Sequence, residues 1–270
     1  MATYSFPKLI ECALCLSTSP LKESHIIPKF VGRELKKNSN SQTLVDGINP
    51  QKNPKPQDIA KEYLLCEQCE LRFSKWETSF RNNVMPANKS LLAPIGYDDW
   101  MLKFAVSLSW RVLAYLKYAQ PYKDNEVTSN ELIKYFPALD KGIKVGAENA
   151  FETWQKFLLD QTTDISPYDQ YFILLNGNNF PHENCNAAGF TIYQSEKLVA
   201  THAFMGQFII LGLIKQESSE LWNNTVIASG TGQVGLQQTI PPTYANWLGD
   251  YFTELENVSV ADWEKRNKRP

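Results

Sequence analysis

Cys12-Ala13-Leu14-Cys15, Ser24-His25-Ile26-Ile27-Pro28 and Leu65-Cys66-Glu67-Gln68-Cys69-Glu70 together form the stretch whose reading decides the fold. Two Cys-x-x-Cys pairs stand 50 residues apart, and they take up four of the chain's 5 cysteines. A tight Cys-x-x-Cys turn presents two sulfurs to one ion, so the two pairs predict a tetrahedral four-thiolate site with structural zinc as its occupant. Thiolates favour zinc or an iron–sulfur cluster over calcium or magnesium. The lack of other nearby cysteines and of ferredoxin-like spacing weighs against a cluster. The plainer reading is four ordinary buried or redox-active cysteines, which leaves their pairing unexplained.

With Ser24-His25-Ile26-Ile27-Pro28 set between the pairs, the chain resembles the HNH (ββα-metal) nuclease family in its zinc-stapled, four-cysteine form, over about residues 10–80. The resemblance implies a treble-clef-like module in which a strand carrying the His-Ile-Ile-Pro motif leads through a loop to a second strand, the distal cysteine pair and a helix. His25 would then be the general base, an imidazole taking a proton from the water that attacks a phosphodiester. Three departures accompany this match. Ser24 stands where the family has a metal-binding His or Asp, Lys61 falls where its Asn is expected, and Glu70, Ser74 or Glu77 replaces its final His. Glu70, Ser74 and Glu77 recur at i, i+4 and i+7 and so share one face of a helix. Carboxylates there suit magnesium or manganese, giving a remodelled catalytic site of Glu70, Glu77 and Ser24. An inactive site, or a solvated helix face, fits the same spacing. The implied sets are thus Cys12, Cys15, Cys66 and Cys69 for the structural ion, and His25, Ser24, Glu70 and Glu77 for catalysis.

Hydrophobic residues at 43% and aromatics at 12% of 270 positions suffice for a substantial core, in one large domain or two ordinary ones. No run of 18 apolar residues and no signal peptide is present, so a non-membrane, cytoplasmic protein is expected. Residues 1–90 carry 13 Lys and Arg against 9 Asp and Glu, while the remainder carries 14 against 20. A mildly basic module on an acidic body is compatible with a nucleic-acid-facing surface.

Along the chain, Pro28 opens a basic helix reaching Lys37, whose cations either follow a phosphate backbone or form a solvated face. Asn38 to Pro56 reads as a loop, with Lys52 and Lys55 within reach of a phosphate. A second strand over Ile59–Leu65 delivers Cys66, and a helix follows from Glu70 to about Asn82. The linker-like composition of Pro86–Tyr97 divides a zinc module, 1–90, from a C-terminal α+β domain, 91–270, that regulates, oligomerises or positions substrate. In that second part, helices are expected over Trp100–Gln120, Ser129–Phe136, Gly146–Asp160, Thr243–Glu256 and Val260–Lys265. Strands are expected over Tyr171–Leu175, Gly189–Gln194, Lys197–Phe204, Gly206–Ile214 and Trp222–Ala228. The fold class is therefore α+β: the zinc-stapled module, a helical segment, and a small antiparallel sheet packed by helices.

Other features point to little chemistry. Gly230-Thr231-Gly232-Gln233-Val234-Gly235 has the form of a phosphate loop, but Leu-Gln-Gln-Thr-Ile-Pro-Pro after it starts no helix. His182 and His202 lack ligand-spaced partners, and Cys185 reads as a small buried hydrophobe. Two functions remain. One is an HNH-like, magnesium- or manganese-dependent endonuclease acting on nucleic acid, with DNA expected and a bacterial defence effector suggested by analogy of architecture. The other is a catalytically inert zinc module that binds nucleic acid or a protein. Either leaves room for a homo-oligomer or protein partner through the C-terminal domain.

Overall fold

The structure, a computed structural model, describes residues 10–38, 43–45, 60–87, 94–118, 141–175, 187–216, 222–235 and 237–253. Strands β1 (Ile10–Glu11) and β2 (Thr18–Ser19) pair antiparallel and close the turn that holds the first cysteine pair. β3 (Leu21–His25) leads through Pro28 into helix α1 (Lys29–Asn38), where the ring's fixed φ suits a helix start. Inside the expected loop, β4 (Thr43–Val45) proves to be an edge strand of the distal sheet. β5 (Lys61–Cys66) returns antiparallel to β3, pairing His25 with Lys61 and Ser24 with Glu62. Helix α2 (Glu67–Ala87) follows at once, with Glu67 and Glu70 in its first turn, where acidic side chains complement the macrodipole.

β6 (Ile95–Tyr97) precedes α3 (Asp99–Tyr118), a helix buried almost all round from Met101 to Tyr115. An apolar helix of this kind belongs inside a core. α4 (Lys141–Leu158) begins five residues earlier than its sequence pattern indicates and packs on α3, with Trp110 stacked on Phe151 at 5.3 Å. It ends in a Schellman cap: Asp160 adopts φ 60°, its N–H donates to Phe157, and the Gln161 N–H donates to Lys156.

β7 (Gln170–Leu174), β8 (Ala187–Gln194), β9 (Leu198–Met205) and β10 (Phe208–Gln216) follow. They form a five-stranded sheet in the order β4-β8-β9-β10-β7, antiparallel except for the β4–β8 pair. Both faces are covered, so the strands read as continuous apolar runs rather than alternating ones. Phe172, Phe190, Met205 and Phe208 face the core shared with α2, α3 and α4. Ile173, Tyr193, Phe204 and Leu211 face Tyr244, Leu248 and Phe252 of a last described helix, α5, over residues 242–253. The expected strand over Trp222–Ala228 is instead irregular, with single bridges from Val226 to Tyr171 and from Asn223 to Thr239. β11 (Gly232–Val234) pairs with β6.

The described part is thus mixed α+β, as the sequence indicates, with five helices among the described residues. One buried cluster runs from Cys12 and Leu14 through Phe73, Phe80, Phe104 and Trp110 to Ile210 and Val234. The expected helices at Ser129–Phe136 and Val260–Lys265 lie outside the described residues, as do Lys52, Lys55, His182 and Cys185.

Candidate metal centre and adjoining charged cluster

The first pair of cysteines sits in a tight turn. Leu16 takes the left-handed conformation that the turn needs, φ 61°, while the Cys12 N–H donates to Ser17 and the Leu16 N–H to Cys12. Cys66 is the last residue of β5 and Cys69 lies in the first turn of α2. The four Sγ atoms all lie within 4.8 Å of one another, with Cys15 and Cys66 at 3.8 Å. A tetrahedral ion bound at ~2.3 Å by each sulfur separates the sulfurs by roughly 3.8 Å. The four thiols therefore can hold a structural metal such as zinc, and none of them is in a disulfide. The Cys66 N–H donates to Cys12 Sγ at 3.3 Å, the kind of contact that stabilises a thiolate. The Cys69 thiol hydrogen-bonds Cys12, pulling the Cys12 pKa down and pushing that of Cys69 up.

The turn is fixed to the rest of the chain from two sides. The Ala13 N–H donates to Leu64 of β5, and Gln155 Nε2 of α4 donates to the carbonyls of Ala13 and Leu14 at 3.1 and 2.7 Å.

Beside this centre the structure brings Ser24, Glu70 and Glu77 together on α2's side of the hairpin, and adds a residue that the sequence reading missed. Ser24 is 1% exposed, and its hydroxyl hydrogen-bonds the Glu70 carboxyl. Burial raises the pKa of Glu70, with Ser24 and Arg111 pulling it back and Glu77 and Cys12 adding to the rise. Glu77 forms an ion pair of 2.8 Å with Arg111 of α3, whose side chain is only 4% exposed. Arg111 Nη1 also donates to the His25 carbonyl at 2.9 Å, and Nε donates to the Ser107 carbonyl at 3.2 Å. The guanidinium lies over the Phe73 ring, 5.2 Å from its centroid. One signal for Arg111 does exist in sequence: it is the sole charge in the run Phe104–Leu116 of a helix otherwise fit only for burial.

His25 closes β3 half-buried. Successive strand positions face opposite sides, so its ring shares a face with its cross-strand partner Lys61 rather than with Ser24. Lys61 Nζ lies 3.5 Å from Glu23 on that same face. Among the described residues the four cysteines are the one group of three or more His, Cys, Asp or Glu side chains placed to hold a metal ion. Glu77 is ion-paired with Arg111, and Glu70 feels the charges of both.

The other candidates resolve simply. Gly230 donates its N–H to the Asp99 carboxylate at 2.8 Å and Gly232–Val234 pairs with β6, so the glycine-rich segment meets an acidic side chain where a phosphate would sit. His202 is fully buried in β9. No helix among the described residues is long and apolar enough to cross a membrane. No protein-family model matches the chain, and searches of curated proteins and of solved structures return no match.

Proposed function

We propose that about residues 10–80 form a zinc-stapled, treble-clef-like ββα module of the HNH kind that hydrolyses phosphodiester bonds of nucleic acid, DNA first, with His25 as general base. The observation that carries this reading is the placement of His25 at the end of a hairpin strand. Its carbonyl is fixed by Arg111, beside a helix whose first turn holds Cys69 and Glu70. A zinc ion on the four thiolates would hold the hairpin and the helix start in register. The imidazole, half-exposed, accepts the proton of an attacking water, a contribution typically of about 10²- to 10⁴-fold. Exposed Lys29 and Arg33 of α1 offer cations for the phosphate backbone.

A plasmid-nicking assay of the full chain, with zinc content measured alongside, tests the reading. Wild type should nick plasmid, and His25→Ala should lose at least about 100-fold of that activity while keeping its zinc. Undiminished cleavage by His25→Ala would remove His25 from the chemistry. The second reading, an inert zinc module that binds nucleic acid or protein, is favoured by the Glu77–Arg111 pair and the inward-turned Ser24. Its signature is DNA binding without nicking, or neither binding nor nicking if the partner is a protein.

A further inference from the structure

We propose that Arg111 is the resident cation of the Glu70–Glu77 cluster: its buried guanidinium stands in for a second, hydrolytic metal ion and positions the His25 end of β3. Three contacts define this role. Nη1 reaches Glu77 Oε1 at 2.8 Å and the His25 carbonyl at 2.9 Å, and Nε is anchored on Ser107 at 3.2 Å. One planar, always-charged group therefore ties helix α2, strand β3 and helix α3 at a single point, which a flexible ammonium does less well. The residues that would have to ligate an ion are already engaged: Ser24 with Glu70, and Glu77 with Arg111.

A divalent ion entering this cluster would meet a buried positive charge at close range in a medium of low polarity. Taking Glu77 as a ligand would leave Arg111 without its ion-pair partner, an arrangement that proteins avoid. Arg111 thus supplies the cluster's cation, and among the described residues the four cysteines are the one group placed to hold a metal ion. The positioning half of this inference rests on the proposed role of His25, whereas the metal half stands independently.

The experiment uses the zinc-loaded full chain. Manganese binding is followed by the loss of the free-ion electron paramagnetic resonance signal, and cleavage is followed in buffer with and without added magnesium or manganese. Wild type should bind no equivalent of manganese beyond its zinc, and added ions should leave its cleavage rate unchanged. Arg111→Gln, which removes the charge and the reach to the His25 carbonyl, should lower kcat by about 100-fold with KM unchanged. Arg111→Lys should restore part of that loss. Uptake of a manganese equivalent by wild type that Glu77→Gln abolishes would overturn the metal half, whatever the activity. Equal loss in both Arg111 variants, accompanied by loss of zinc, would show a merely structural anchor and overturn the positioning half. If wild type cleaves nothing, the nuclease reading falls, and manganese binding still decides the metal half.

Discussion

The buried ring of His202 lies against Phe204, Tyr244, Trp247 and Tyr251, and neither of its nitrogens has a hydrogen-bond partner among the described residues. Burial pulls its pKa down to about 3, whereas a histidine in the unfolded chain titrates near about 6.5. Between those values the unfolded chain binds the extra proton, so His202 costs stability as the pH falls below about 6.5, by up to roughly 1.4 kcal/mol per unit. His202→Leu should lose less melting temperature than wild type as the pH falls below about 6.5. At neutral pH it should gain about 1 kcal/mol by removing two unpartnered polar atoms. Parallel pH curves for the two proteins would acquit His202. The same scale shows what sequence can and cannot carry. The cysteine quartet is legible from its two Cys-x-x-Cys pairs although they stand 50 residues apart, because the pairing motif itself carries the signal. Arg111 is not, because no such motif links it to the His25 carbonyl that it binds, 86 residues away.

Among the elements, the end of α4 is held by cations from two other helices. Arg72 of α2 donates to the Leu158 carbonyl at 2.7 Å, and Lys103 of α3 donates to the Phe157 carbonyl and to the Asp160 carboxylate. The Lys103 hydrogen bond holds the Asp160 pKa below the ordinary range, so its stabilisation is present at neutral pH and disappears as the pH falls through that lowered value. Asp160→Asn keeps the left-handed backbone acceptable and should lower the melting temperature by about 2 °C at pH 7, with the gap closing as the pH falls through that lowered value. A gap that persists in acid would trace to the cap and not to the charge. Most helices and strands were legible because their apolar spacing is local. β4 was not, since Thr43-Leu44-Val45 is too short to show a period and is made a strand only by pairing with Ala187–Gly189. The irregular 222–228 segment fails in the opposite sense: its apolar residues pack, but its backbone finds only single bridges.

At the scale of the molecule, the two halves expected from composition share one buried cluster, with Phe73 edge-on to Trp110 at 6.1 Å and Phe80 stacked on Phe104 at 4.2 Å. Charge and linker-like composition report the surface, and no periodicity reveals which apolar faces meet. Calorimetry of the zinc-loaded chain should therefore give one endotherm, with calorimetric and van't Hoff enthalpies in agreement. Two resolved transitions, one of them shifted by chelation alone, would mean that the halves melt separately.

Gly212 of β10 has a consequence of a mechanical kind. A Cβ there would come within 2.4 Å of Ser109 Oγ and 2.8 Å of Thr201 Oγ1, so only a hydrogen fits between α3 and the sheet. Ser109 is further tied to Gln170 of β7 by a 2.7 Å hydrogen bond. Two positions along the same helix, a rise of about 3 Å, stands Arg111. With no slack at Gly212, α3 sits at a fixed depth on the sheet, and the sheet's position thereby sets where Arg111 meets the end of β3.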